Sequence, residues 1–330
     1  MSPRKIDRPH VAIVLASIGG ARSLGPCLSA FARELAGRGE IVVVDASPDG
    51  PPDLGSRTAR TPWRLLHRDP DWLAPELWAD GIDATDAPLV VLSTTQTSPQ
   101  SGWLDTLLDR LARTDAAAVG GPIDAAEGLS PFDRALYLQR YANYRSPLPV
   151  DRPIDPPGDN VIYRRDRLTG LEPLWAAGFW EIEIHRRLRE RGESLVMAPE
   201  AILRFQGGSP RIRTLIQRFS HARKYGSDRT RDLNRAGRLV SAARAPLVPP
   251  LLASRCLRAL RAREESIVPW STSFPALALI LGAWASGEAW GTLLGDRGRS
   301  RIGGDGPLMT GGTARRRLPS IESKSQEIQV

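Results

Sequence analysis

Residues 89–104 read LVVLSTTQTSPQSGWL. Four apolar residues give way at once to Ser93, Thr94, Thr95 and Gln96, then Pro99 and an amphipathic segment opening at Gly102-Trp103-Leu104. A short apolar run of this kind predicts a buried strand. Open α/β sheets bind ligands at the carboxyl ends of such strands, and hydroxyls and an amide placed there can hydrogen-bond ribose or phosphate. Two earlier runs end the same way. Residues 10–16 (HVAIVLA) lead into Ser17, and residues 40–45 (EIVVVD) end on Asp45 before Pro48-Asp49-Gly50. Asp45 fits a ribose or base contact, and equally a cap on the turn that follows. Gly19-Gly20 after the first run falls short of a G-x-G-x-x-G fingerprint, which argues against a nicotinamide-dependent oxidoreductase.

The elements that must position these residues alternate. Strands are expected at 10–16, 40–45, 63–66, 89–92 and 116–120, with helices at 23–37, 75–84 and from Gly102 through Ala112. In the first helix Leu24, Leu28, Phe31 and Leu35 share one face. This order predicts an α/β fold with a mostly parallel, doubly wound sheet. From 124 to 157 the alternation is lost, and a proline-rich loop at 151–158 follows. A loop and short strand at 158–165 (GDNVIYRR), a helix opening at Phe179-Trp180-Glu181, and short strands at 194–197 and 201–205 complete the second half.

The chain has 330 residues and a formal net charge of +8. That length suits one large domain with an appendage, and the basic balance suits nucleic acid, anionic lipid or phosphorylated substrates. No nucleic-acid recognition motif accompanies it, so no nucleic-acid partner is expected. Cys27 and Cys256 have no zinc or disulfide spacing, and residues 1–9 have no apolar core, so no secretory signal is expected.

Six pieces in order make the pattern recognisable. They are VAIVLAS, IVVVDASPDG, LVVLSTTQTSPQSGWL, GDNVIYRRDRL, WEIEIHRRLRERG and LVMAPEAILRF. Over residues 9–230 the chain resembles the family 2 glycosyltransferases, which have the type A fold. The resemblance implies a nucleotide-sugar donor, an acceptor hydroxyl on a glycan or lipid-linked molecule, and inversion at the transferred sugar. It implies that Ser17, Asp45, Thr94, Thr95 and Gln96 line the donor pocket. Asn160, Arg164, Arg165 and Glu183 fall on the acceptor or phosphate side. The family's acidic pair falls on Trp180-Glu181, which makes Glu181 the expected general base; Glu183, two residues on, faces away from it on a helix and suits an arginine partner.

The departures are as informative. The family's Asp-x-Asp metal motif falls on Thr94 and Gln96, and its later metal-binding histidine falls at Phe205-Gln206. Hard divalent cations take anionic oxygen ligands, which these positions do not supply. No cofactor is therefore assigned, and a Mg or Mn ion would lack its usual ligands. Arginine, always charged and forked, suits the leaving diphosphate, with candidates at Arg164, Arg165, Arg211, Arg213, Arg218, Arg223 and Lys224. A catalytically inactive, partner-binding or lipid-binding scaffold is the alternative reading of the same losses.

Residues 231–295 read as a helical, membrane-associated region. The stretch 267–290 is apolar, carries Trp270, Trp284 and Trp290 with flanking arginines, and is interrupted by Glu288. It could span, re-enter or lie on the membrane. Its W-x-x-G-E-x-x-G pattern (Trp284, Gly287, Glu288, Gly291) resembles that of many relatives. Residues 296–330, rich in Gly, Arg and Ser, read as a disordered tail. The expected location is the cytoplasmic face of a bacterial inner membrane, in cell-envelope polysaccharide biosynthesis.

Overall fold

The computed structural model describes residues 10–18, 21–48, 61–148, 154–261 and 268–295. Gly19-Gly20, Asp49-Gly50, the start of the proline-rich loop and the expected tail at 296–330 lie outside the described residues.

The strands are β1 (Val11–Ser17), β2 (Gly39–Asp45), β3 (Trp63–His67), β4 (Leu89–Thr94), β5 (Thr97–Pro99), β6 (Ala118–Gly120), β7 (Ile123–Ala125), β8 (Val161–Arg164), β9 (Leu195–Met197) and β10 (Leu203–Phe205). Seven of them form one sheet in the order β3-β2-β1-β4-β8-β6-β9. Pairing is parallel throughout except that β8 runs antiparallel to β4 and β6. The mixed α/β, mostly parallel sheet is the expected fold class. β2 and β4 flank β1 on opposite sides, so the chain reverses its winding direction at β1, and the carboxyl ends of β1 and β4 are where open α/β sheets of this topology bind ligands. The sequence reading did not anticipate the second, three-stranded sheet β5-β10-β7.

The helices are α1 (Ala21–Leu35), α2 (Ala74–Asp83), α3 (Trp103–Arg113), α4 (Pro131–Tyr141), α5 (Arg165–Leu168), α6 (Glu172–Trp175), α7 (Glu181–Glu190), α8 (Arg211–Arg229), α9 (Arg235–Ala243), α10 (Val248–Arg261) and α11 (Phe274–Leu294). Alternating side chains of β1 feed two cores. Val11, Ile13 and Leu15 pack with Leu24, Leu28, Phe31 and Leu35 of α1 and with α3 and α4. Val14 and Ala16 pack on the other face with Leu77, Trp78 and Ile82 of α2 and Ile184 and Leu188 of α7. That period of two, with both sets buried, explains why the strands read as unbroken apolar runs. Gly102, the N-cap of α3, has no side chain to satisfy the first turn; the Glu34 carboxylate reaches across from α1 and accepts from Gly102 and Leu104 N–H, each at 3.2 Å.

Helix α4 occupies part of the stretch in which alternation is lost. Ser130 caps it, accepting from Asp133 N–H at 3.1 Å, and Phe132, Ala135, Leu136, Tyr137, Leu138 and Tyr141 are all buried. So much of its surface is apolar that no stripe stands out.

The core does not stop at residue 230. Cys256, Leu260, Trp270, Leu277, Ile280 and Leu281 belong to the same cluster as β1, α1 and α4. Helix α11 lies against α8 at backbone contact. A Cβ added at Gly287 would sit 2.1 Å from the Phe219 carbonyl oxygen, at Gly291 1.8 Å from that of Arg223, and at Gly226 2.3 Å from that of Glu288. Beside these glycines the buried Glu288 accepts an ion pair from Arg229 at 2.7 Å. The expected W-x-x-G-E-x-x-G pattern thus serves helix packing. Gly282, on the same helix, has open space around it. Gly291→Ala is therefore expected to destabilise by about 1–3 kcal/mol through overpacking, while Gly282→Ala stabilises by about 0.5–1 kcal/mol through helix propensity. Thermal melts of the two variants read opposite signs, and equal shifts would contradict this packing.

Among the described residues, Trp270–Leu294 form a stretch long and apolar enough to cross a membrane, and 44% of its most apolar 18-residue window is buried against the rest of the chain. It is a candidate membrane-associated element. Leu279, Trp290, Leu293 and Leu294 are its exposed large apolar side chains, and Leu239, Val240, Leu247 and Leu251 are exposed on or beside α9 and α10.

Candidate active site

Register brings the strand-end residues together. Ser17 pairs with Asp45 across β1 and β2, and Ala16 pairs with Thr94 across β1 and β4. The hydroxyls of Ser17, Thr94 and Thr95 are buried and hydrogen-bond to nothing among the described residues. Buried hydroxyls are ordinarily satisfied, so three orphaned at neighbouring strand ends are an exception that a bound polar ligand would resolve. Asp45 is fully buried and already engaged: it accepts from Ser47 Oγ at 2.7 Å and Ser47 N–H at 3.2 Å, and lies 3.1 Å from His67 Nδ1. It therefore caps its own turn, and a carboxylate retains acceptor capacity beyond those partners. His67, at the end of β3, went unnoticed in the sequence.

Gln96 lies in the turn between β4 and β5. Its backbone oxygen accepts from Gln206 N–H at 2.7 Å, and its side-chain nitrogen donates to Ser209 Oγ at 2.7 Å. Its side-chain oxygen accepts from Arg140 of α4 at 3.0 Å. Arg140 also donates to Asp159 Oδ2 at 2.7 Å, an oxygen that additionally accepts from the Tyr141 hydroxyl. Ser93 Oγ, donating to the Asp159 carbonyl oxygen at 3.0 Å, ties this group to the end of β4. The loop holding Ser209 turns through Gly207 at φ 68°, where an added Cβ would be 2.6 Å from Asp133 Cγ of α4; only glycine fits there. Arg140, Asp159 and Tyr141 escaped the sequence reading, although Asp159 stands inside the recognised GDN motif.

Glu181 opens α7 and packs over Gly158, with its carboxyl carbon 3.0 Å from where a Cβ would be. It is half-buried. Burial pushes its pKa up to about 7 and the nearby Asp159 adds to that, while its own backbone N–H and Arg140 pull the other way. Trp180 packs edge-on against His221 of α8, with ring centroids 4.8 Å apart, and Lys224 lies 5.5 Å over its ring. Burial, with Arg218 and Arg140 adding to it, holds the His221 pKa well below the usual value, so the imidazole is neutral. The Arg218 pKa is pushed down to about 10 by burial and by the like charge of Arg140.

Several expected site residues lie elsewhere. Asn160 is fully buried in a structural knot: it accepts from Trp103 Nε1 at 2.9 Å and donates to the Pro122 and Ala201 carbonyls at 2.8 and 3.0 Å. Arg164 pairs in register with Leu89, at the opposite end of β4 from Thr94, about 16 Å away by strand rise. Its guanidinium donates to the Ala116 and Leu111 carbonyls, and that of Arg165 to Ala87 and Ile82. Neither reaches those strand ends. Glu183 faces solvent, paired with Arg186 and Arg187. Arg213 donates to the carbonyls of Ile18, Ala46 and Pro70 and pins α8 over the ends of β1 and β2.

A divalent metal does not fit this donor set. Thr94 and Gln96 are neutral, Gln96 is already bonded to a cation, and Phe205 is core, stacked on Tyr137 at 6.0 Å. Among the described residues no group of three or more His, Cys, Asp or Glu side chains could hold a metal ion.

The mixed α/β fold is similar to that of a solved glycosyltransferase structure. The chain is similar to the mannosyltransferase PcManGT from Pyrobaculum calidifontis, solved in complex with GDP-Man and Mn2+, at 18% identity and a TM-score of 0.50, covering 86% of this chain and 88% of that one. A mycobacterial protein of known structure matches at 14% identity and a TM-score of 0.42, covering 67% of this chain and 78% of its own. No family model and no curated protein matches the chain.

Proposed function

We propose that this protein is an inverting glycosyltransferase of the family 2 kind, transferring a sugar from a nucleotide-sugar donor to an acceptor hydroxyl. The observation that carries the reading is the set of groups gathered at the strand ends. Orphaned hydroxyls at the ends of β1 and β4 adjoin a group that includes a carboxyl held near neutrality. The Pyrobaculum neighbour's GDP-Man complex supports a donor of that chemistry on this fold.

In this reading Ser17, Asp45, Thr94 and Thr95 take the nucleoside and Gln96 the phosphate side. Glu181 accepts the proton of the acceptor hydroxyl as its oxygen attacks the anomeric carbon. The bond from that carbon to the diphosphate breaks, and the leaving group departs with the electron pair. One displacement inverts the centre. A base matched to ambient pH contributes roughly 10²–10⁴-fold to such a step. The site works without the usual metal, since its residues do not supply that ion's ligands. Residues 231–295, with their apolar and basic surface, would hold the enzyme at the cytoplasmic face of a bacterial inner membrane, within reach of a lipid-linked or glycan acceptor of the cell envelope.

Thermal shift against a panel of nucleotide sugars, each with manganese and with excess chelator, tests the reading. One donor is expected to raise the melting temperature equally in both conditions. Stabilisation that needs manganese would overturn the metal-independent part, and none with any donor would favour the inactive scaffold.

A further inference from the structure

Helix α8 carries an arginine, Arg218, that turns towards the strand-end group without a bonded partner among the described residues. Arg218 makes no hydrogen bond or ion pair to any described residue, and it lies close enough to Arg140, Tyr141 and Asp159 to interact with each. Arg140, whose side chain is 13% exposed, is bonded to Asp159 and to Gln96. Two guanidinium groups thus lie near one another beside the Asp159 carboxyl, and burial raises the pKa of the second carboxyl nearby, Glu181, to about 7. A like-charged pair in low dielectric is unfavourable unless an anion completes it. A guanidinium offers five donors in a fork matched to phosphate oxygens, and Arg218 has its donors to spare.

The location gives the anion its identity. Gln96, the residue Arg140 holds, stands at the second position that the resemblance would reserve for a metal-binding aspartate, two residues beyond the orphaned Thr94 hydroxyl. A nucleoside seated on the strand ends would project its phosphates along that turn towards the arginines.

We infer that Arg140 and Arg218 form a protein-borne clamp for the diphosphate of a nucleoside diphosphate donor, in the place where a divalent cation would otherwise stand. The inference rests on the glycosyltransferase reading and adds the residues that neutralise its leaving group. Arg140 is positioned by Gln96 and Asp159, and Arg218 is set against it by α8. As the diphosphate departs it gains negative charge, and donors fixed in advance stabilise that charge without reorganisation.

The test uses the full chain in excess chelator and measures binding of UDP and GDP, the matching monophosphates and the bare nucleosides by titration calorimetry. The wild type is expected to bind one diphosphate tightly and its monophosphate and nucleoside progressively less well. Arg218→Ala is expected to weaken the diphosphate at least tenfold and the nucleoside less than threefold, with Arg218→Lys intermediate. Because Arg218 makes no hydrogen bond, the melting temperature of the ligand-free variant is expected to stay level or rise, which separates lost binding from lost folding. Arg140→Lys keeps a charge beside Asp159 and is expected to lose part of the same preference. Unchanged diphosphate binding in both variants would overturn the clamp and leave the donor reading standing. No binding of any nucleotide by the wild type would remove the donor reading, and the clamp with it.

Discussion

Replacing Glu181 by Gln is expected to lower sugar transfer by about 10²–10⁴-fold and, in the same protein, to raise stability above pH 7. Both effects come from one cause. Burial moves the carboxyl from an ordinary value near 4.5 to about 7. The folded protein therefore binds this proton more tightly than the unfolded chain. The favourable contribution is complete below about pH 4.5, and it is lost as pH rises through about 7, where the folded state must carry a poorly solvated anion. A shift of this size corresponds to at most about 3 kcal/mol, and partial contact with solvent reduces it to about 1–2 kcal/mol. Glutamine keeps the shape and never ionises, so it escapes that penalty. Melts of the wild type and of Glu181→Gln should coincide at pH 4 and diverge by pH 8, with the variant higher. In turnover, kcat/KM of the wild type should climb with pH through a limb near 7, and the residual rate of the variant should lack that limb. A variant that keeps the limb would place the base elsewhere; one that loses stability at pH 8 would contradict the burial argument.

Asn160→Ala is expected to cost about 3–6 kcal/mol, the largest stability loss of any polar substitution considered. The side chain satisfies three buried groups from separate segments: the Trp103 indole N–H that begins α3, the Pro122 carbonyl before β7 and the Ala201 carbonyl before β10. Alanine leaves the indole N–H and the Ala201 carbonyl without this partner and the Pro122 carbonyl with only the Leu203 N–H at 3.1 Å, in a buried site where each unsatisfied group costs about 1–3 kcal/mol. Asn160→Asp tests the same point differently. A carboxylate would still accept from Trp103 but would turn an acceptor towards two carbonyls, so it should rescue little. Chemical denaturation measures both. A loss below about 1 kcal/mol in Asn160→Ala would show that the knot is not structural.

The two substitutions separate what could and could not be read from the chain. The ends of β1, β2 and β4 were legible because each apolar run breaks sharply at a polar residue, and Ser17, Asp45 and Thr94 meet in register as that pattern requires. Glu181, named as the general base through the family resemblance, sits at the start of the helix expected there. Asn160 was misplaced because a polar residue in a glycine-flanked loop looks the same whether it faces a ligand or ties three backbones together. Arg164 and Arg165 were misplaced for a related reason: antiparallel β8 carries them to the far end of the sheet, and sequence alone does not give strand direction. Arg140 was hidden because α4 is apolar on too many sides to show a helical stripe. Arg218 was one basic residue among many on α8, and only packing reveals which of them turns inward.

The three glycines between α8 and α11 have a consequence for how the site is kept in register. Backbone meets backbone at Gly226, Gly287 and Gly291, so sliding either helix by one residue would drive a side chain into a carbonyl. The pair therefore has a single keyed alignment, as a notched shaft has in its collar. Arg218, which directly precedes Phe219 and lies five residues before Arg223 on the same helix, has its height along α8 set by that key. Helix α11 thus works as a gauge block for the cation that the proposed clamp places at the diphosphate.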